Sequence, residues 1–277
     1  MRILLAAAIA ALTSVTGPAY AEDATELNSM MTAYEARGWE GVGRLNIGWS
    51  GMCTGAMIAP RIVLTAAHCL YNSRNGQRVD PTSIEFHAGF RNGRASASRK
   101  VRRAVIHPAY IYDSADGDLR VSNDLALLEL SSEIRLSNIA PFPTGKRPRK
   151  GQKVGVVSYA HDRDQSPSIQ EVCHVLARQR GTLVLSCDVD FGSSGAPIFA
   201  EVDGRAQIVS VVSAKAEVRG RKVSLGTNLE KPLAEMMALL RNGGGLTAAA
   251  KPEIRSVGAN TKPRRLNGGD GAKFLRP

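Results

Sequence analysis

The stretch Phe191-Gly192-Ser193-Ser194-Gly195-Ala196-Pro197-Ile198-Phe199 sets a run of small residues between apolar flanks and closes it with a proline. Glycines let the backbone turn tightly and bring its amides close to a ligand. A serine held in such a turn presents its hydroxyl beside free N–H groups. An acyl-transfer nucleophile needs that geometry, because the oxyanion must meet preplaced donors. Alone, the stretch reads as a loop between strands. Its surroundings decide between the two readings.

Short apolar runs flank it on both sides, parted by turn residues. They cover 153–159, 172–177, 182–187, 196–200, 208–213 and 222–227, and further upstream 42–47, 55–60, 61–65, 84–89, 101–106 and 125–130. Such spacing predicts short strands. Residues 141–151 hold proline, glycine and charge with little hydrophobic content and form the internal boundary. Two halves of short strands predict an all-β chain of two barrels or sandwiches. One helix is expected late: Pro232 fits its first turn, Leu233, Met236, Met237 and Leu240 form a stripe, and the glycines at 243–245 end it. Residues 22–38 read as a polar arm or propeptide, weakly helical over 26–37.

The chain has 277 residues, 43% hydrophobic and 22% charged, with a net charge of +11. Seven Lys and Arg against two acidic residues lie in 242–277, which reads as a basic, disordered tail. No basic helix or aromatic-interleaved patch accompanies the charge, so nucleic acid is not an expected partner. A solvated tail is the expectation, and contact with an anionic envelope surface is the alternative. Residues 1–21 read as a cleavable signal peptide: Arg2, an apolar run over 3–12, and Ala19-Tyr20-Ala21 as the cleavage site. That run is too short for a comfortable span, and no later stretch reaches membrane length. A secreted or periplasmic location follows, and a monomer is the expectation. Cys53, Cys69, Cys173 and Cys187 are even in number, and export favours disulfides. Nearest-neighbour pairing joins Cys53 to Cys69 and Cys173 to Cys187; zinc fails on spacing, and no metal or cofactor is expected.

Two further residues bear on Ser194. His68 follows a buried-looking strand in Thr65-Ala66-Ala67-His68-Cys69, and Asp124 stands at the mouth of an apolar run in Asn123-Asp124-Leu125-Ala126-Leu127-Leu128. A serine nucleophile needs a base, and the base needs a partner that fixes its tautomer.

With Cys53-Thr54-Gly55, Ile106-His107-Pro108-Ala109-Tyr110 and Gly192-Ser193-Ser194-Gly195-Ala196-Pro197, these motifs resemble the trypsin-like, chymotrypsin-fold serine peptidases, in particular their secreted bacterial branch. The resemblance covers roughly residues 39–241 and implies two six-stranded antiparallel β-barrels, at 39–145 and 146–241, with a C-terminal helix. It implies a serine endopeptidase acting on proteins or peptides, with His68 as general base and acid, Asp124 orienting it and Ser194 as nucleophile. The backbone amides of Gly192 and Ser194 would form the oxyanion hole, and the Cys53–Cys69 bridge would staple the histidine loop. His107 reads as structural; His87, His161 and His174 carry no role. The alternative is a non-catalytic exported binding protein on the same fold.

Several positions within the motifs bear on mechanism and preference. Ser193 stands where many animal members carry an aspartate that pairs with a new N-terminal ammonium, so activation is not expected to use that pair. Asp188 lies where trypsins carry the carboxylate for Arg or Lys, but it follows Cys187 directly, so a basic-residue pocket and a structural role both remain open. The chain has no histidine after His174, which argues against a glutamyl preference. Ser213, Ala214 and Lys215 align with the substrate-binding edge strand. Lys215, replacing a usually small residue, would narrow the pocket or favour acidic groups.

Overall fold

The computed structural model describes residues 24–48, 51–218 and 220–247. The signal-peptide reading and most of the basic tail lie outside the described residues. In chain order the strands are β1 (Asn28–Ser29), β2 (Val42–Ile47), β3 (Gly51–Ala59), β4 (Ile62–Thr65), β5 (Ile84–Ala88), β6 (Ala97–Ile106) and β7 (Ala126–Leu130). They continue as β8 (Lys153–Ala160), β9 (Arg163–Gln179), β10 (Thr182–Leu185), β11 (Pro197–Val202), β12 (Arg205–Val218), β13 (Arg221–Asn228) and β14 (Leu246–Thr247). Among the described residues the α-helices are α1 (Gly117–Ser122) and α2 (Glu230–Arg241).

Each half closes on itself. The first ring runs β2-β3-β4-β7-β6-β5 and back to β2, with β14 added beside β6. The second runs β8-β9-β10-β13-β12-β11 and back to β8, with β1 added beside β9. All these pairings are antiparallel, and closure removes free sheet edges. The expected pair of six-stranded antiparallel barrels is therefore observed, each with one extra short strand.

The linker between the barrels is bonded to both. Phe142 N–H donates to Met57 O in the first barrel at 2.8 Å, and Gly145 N–H to Ile208 O in the second at 2.8 Å. Between them Phe142, Phe199 and Trp39 form an aromatic cluster, with Phe199 4.8 Å from Phe142 and 4.9 Å from Trp39. Edge-to-face contacts at such distances favour a fixed geometry.

The late helix comes from the second half but packs on the first. Leu233, Met236 and Leu240 are buried in the core cluster that β6 and β7 line, each contributing about 2 kcal/mol by burial. Its C-terminal end is held by Arg103, which donates to Leu240 O in the last turn at 3.0 Å and to Gly244 O just past it at 3.2 Å. Arg103 is itself fixed at 2.8 Å by Glu129, an acid inside the otherwise apolar β7, and Arg102 bonds the same carboxylate. Burial opposes the charge of Glu129. Hydrogen bonds and positive charge from Arg102 and Arg103 outweigh it and hold the carboxyl below its usual range. A depressed folded-state pKa adds stability that is complete above the unfolded value of about 4.3 and is lost as pH falls through the folded value. Glu129→Gln is expected to cost about 3 kcal/mol of unfolding free energy at neutral pH, because it strands a mostly buried Arg103. Denaturant melts of the two proteins at pH 7 and pH 3 check this: the difference should shrink at the lower pH.

Two segments differ from the sequence expectation. Over 26–37 there is no α-helix; β1 pairs with Ser168 and Ile169, and Thr25 N–H donates to Val172 O at 2.9 Å. The arm is thus a strand on the outside of the second barrel. Residues 242–247, assigned to the disordered tail, are ordered: Leu246 and Thr247 pair with Ala104 and Arg103 of β6.

Candidate active site

A cleft of about 1020 Å³ opens between the barrels, and His68, Ser194, Ser213, Ala214 and Lys215 line it. His68 sits in a 3-10 turn, Ala67–Leu70, directly after the fully buried β4. Ala66 and Ala67 are wholly buried, and their small size lets the turn lie against the barrel. The Cys53–Cys69 disulfide (Cα–Cα 6.3 Å) ties this turn to β3. Closing such a loop contributes about 3 kcal/mol in the chain-entropy model. The second disulfide joins Cys173 to Cys187, with Cα–Cα 5.0 Å. Cys53, His68 and Cys69 lie close enough to suggest a metal site, but both sulfurs are consumed in the disulfide.

Asp124 is set by α1 and by the second barrel. Asp116 caps α1, its side chain accepting from Asp118 and Leu119 N–H, and Asn123 ends it. Thr227 of β13, buried, donates to Val121 O at 2.7 Å and Asp124 O at 3.3 Å. The Asp124 carboxylate is 2% exposed and fully engaged. It accepts from His68 N–H at 2.8 Å, from His68 Nδ1–H at 2.6 Å and from Ser213 Oγ at 2.5 Å. Burial of the imidazole opposes protonation, but the Asp124 charge and its hydrogen bond outweigh that, and the His68 pKa is raised. The Nδ1–H bond leaves the neutral ring's lone pair on Nε2.

Ser194 lies on the turn before β11. Gly195 and Gly192 have φ of +79° and +99°. A Cβ at Gly195 would stand 2.1 Å from Thr65 Oγ1 and 2.4 Å from Thr54 O. The first barrel grips the loop there. Thr54 N–H donates to Ser194 O at 2.8 Å, Thr54 Oγ1 donates to Gly192 O at 2.9 Å and accepts from Tyr159 N–H at 3.0 Å, and Thr65 Oγ1 donates to Thr54 O at 2.8 Å. The amides of Ser193, Gly195 and Ala196 are donated to Asp190 O, Val212 O and Ser193 O. Those of Gly192 and Ser194 have no acceptor among the described residues, nor does Ser194 Oγ bond the His68 ring. Apo sites often hold such bonds long until substrate binds.

Ser193 is fully buried. Its hydroxyl donates toward Ser158 Oγ at 3.2 Å and Tyr159 O at 3.4 Å and accepts Asp190 N–H at 3.3 Å. Asp188 is exposed and absent from the cleft lining; its N–H is held by Gln170 Oε1 at 2.7 Å. The carboxylate that does line the cleft is Asp190, paired with Lys215 at 2.7 Å. Hydrogen bonds from Lys215 and from Phe191 N–H hold the Asp190 carboxyl below its usual range. His107 is buried, with Nε2 3.6 Å from Glu235 Oε2, and burial lowers its pKa. His161, assigned no role from sequence, lines the cleft. Thr54, Thr65 and Thr227 also went unread, because isolated buried threonines leave no pattern in sequence.

Two closed antiparallel barrels with a histidine, an aspartate and a serine at their junction define the chymotrypsin fold. The chain belongs to the trypsin family: the family model described as Trypsin matches residues 31–228. It is 33% identical to human transmembrane protease serine 7 over 48% of this chain and 16% of that protein. To human serine protease 23 it is 27% identical, over 56% of this chain and 44% of that one. The chain thus spans less than half the length of these curated relatives. A solved structure titled "Structure of Glu endopeptidase in complex with MPD" superposes with a TM-score of 0.65 at 16% identity, covering 78% of this chain and 96% of that one. At that identity the likeness shows the fold alone. No described helix is long and apolar enough to cross a membrane.

Proposed function

We propose that this chain is an exported serine endopeptidase that cleaves peptide bonds through Ser194, His68 and Asp124. The observation that carries this reading is the Asp124 carboxylate: buried, and holding by two hydrogen bonds the His68 that lines the same cleft as Ser194. A carboxylate so placed orients the imidazole and stabilises the imidazolium once it forms. His68 Nε2 takes the Ser194 proton as Oγ attacks the carbonyl, then delivers it to the leaving amine. The undonated amides of Gly192 and Ser194 receive the oxyanion. Water then hydrolyses the acyl-enzyme by the same proton route in reverse. This chemistry needs no cofactor.

Serine-loop ordering by Ser193, Ser158 and Tyr159 stands in for the aspartate–ammonium pair of animal members, so activation does not use that pair. The two disulfides fit an oxidising compartment, in keeping with export to the periplasm or beyond.

Hydrolysis of denatured casein by wild type and Ser194→Ala tests the reading; only the wild type should cut. Full casein hydrolysis by Ser194→Ala would refute it. The pH profile adds a check. His68 must be neutral to act as base, and its pKa is raised. The acid limb of kcat/KM is therefore expected above the ordinary imidazole value of about 6.5.

A further inference from the structure

Charge is distributed unevenly between the two walls of the cleft. On the second-barrel wall Asp190 and Lys215 pair at 2.7 Å, with the ammonium 4.1 Å from the centre of the Phe191 ring. These two charges largely cancel. On the first-barrel wall the loop over residues 71–79, which follows the histidine turn, supplies the Lys, Arg, Asp or Glu side chains that line the cleft. It presents Arg74 and Arg78 to the cleft and contributes no carboxylate. Arg78 Nε donates to the Tyr71 hydroxyl at 3.3 Å, and the Arg74 side chain has no polar partner among the described residues. Asp80, just beyond the loop, spends its Oδ1 on Thr82 N–H and Oγ1, 2.8 Å each.

The loop that holds these arginines is bonded to itself. Asn72 Oδ1 accepts Arg74 N–H at 2.8 Å, Asn72 N–H donates to Gln77 O at 2.8 Å, and Gly76 N–H donates to Asn72 O at 2.8 Å. Tyr71 stacks on Tyr112 at 4.7 Å and 10°. The arginine backbones are thus preorganised, which lowers the ordering cost of binding. A guanidinium matches a carboxylate in charge and bidentate geometry.

We propose that the 71–79 loop selects polypeptides carrying Asp or Glu beside the scissile bond, with Arg74 and Arg78 as the specificity-determining residues. This rests on the peptidase reading above. It concerns residues flanking the cut, not the side chain that enters the pocket beside Lys215.

The test is cleavage of a proteome-derived peptide library, read by mass spectrometry, with wild type and an Arg74→Gln/Arg78→Gln variant. In the wild type, Asp and Glu should be enriched about two- to tenfold at one or two positions within about four residues of the cut, the range that two exposed ion pairs supply. High salt should reduce the enrichment. In the variant it should fall to background while neutral peptides are still cut. Absence of enrichment in the wild type, or its persistence in the variant, would overturn the proposal without touching the peptidase reading. Should no peptide be cut, the peptidase reading fails first. Binding of fluorescent poly-Glu and poly-Gln peptides to the full-length Ser194→Ala chain then decides the selection: tighter poly-Glu binding, lost with the two arginines, supports it, and equal binding overturns it.

Discussion

Asp124→Asn is expected to lower kcat about 10⁴-fold while leaving the protein folded. The asparagine keeps size and burial but changes the hydrogen-bond pattern. Asp124 now accepts from three donors: His68 N–H, His68 Nδ1–H and Ser213 Oγ. An asparagine amide presents one acceptor oxygen and one NH₂. If the NH₂ faces Nδ1, the imidazole must carry its proton on Nε2, and the lone pair that accepts the Ser194 proton is lost. The upward pull on the His68 pKa goes with the charge, so any residual activity should show an acid limb moved to lower pH. Thermal melting beside the kinetics separates this from unfolding, since a catalytic fall with an unchanged midpoint is the expected pair. Activity within about tenfold of wild type would remove Asp124 from the mechanism, because reorienting a base is worth far more than that.

The second large effect is structural. Gly195→Ala is expected to cost about 4 kcal/mol or more and to abolish activity. The backbone there has φ +79°, which non-glycine residues adopt at a cost. The added methyl would also meet Thr65 Oγ1 at 2.1 Å, Thr54 O at 2.4 Å and Ala66 N at 2.9 Å. Two of those atoms are backbone and cannot step aside without moving β3 and the histidine turn. Gly204→Ala is the control. Its φ is +71°, but no atom lies within 4 Å of the new methyl. It should cost only about 1–2 kcal/mol, the penalty of the left-handed conformation alone. Chemical denaturation of both variants reads the difference, which measures how tightly the first barrel holds the serine loop. Equal costs would mean that the loop yields and that the threonine grip is weak.

The contrast between these two glycines shows what sequence reveals here and what it leaves out. The serine turn, the histidine turn after a buried run and the aspartate before one were each legible, because local composition fixes them. So were the strands whose apolar residues alternate or run together, such as β2 and β4. The long β9 is legible only over 172–177, since its opening run, Arg163-Asp164-Gln165-Ser166-Pro167-Ser168, is polar and is held by pairing with β8 and β1. The weakly helical reading of the arm rests on a real signal. Thr32 and Glu35 exchange capping hydrogen bonds at 2.8 and 3.2 Å, and Ala36 N–H reaches Thr32 O. Gly38, at φ +87°, ends that turn at once, and the partner of β1 lies about 140 residues away, where no local pattern points to it. The six-residue α1 escaped for want of length, although Asp116 at its start is an ordinary cap signal.

The same holds at the site. Thr54, Thr65 and Thr227 look like any strand threonines, yet together they hold the serine loop and the aspartate loop in register across the barrel junction. The sequence position leaves Asp188 open between a pocket carboxylate and a structural role; the chain turns Asp190 toward the cleft and pairs it with Lys215. Which of two acids two residues apart faces a cavity depends on loop conformation, and the Cys173–Cys187 bridge fixes that loop from outside the run itself.

The proposed mechanism requires Ser194 to be an activated nucleophile. The most direct test treats the purified protein and its Ser194→Ala variant with a fluorophosphonate and reads intact mass. One adduct is expected on the wild type and none on the variant. An unlabelled wild type, or equal labelling of both proteins, would contradict the mechanism.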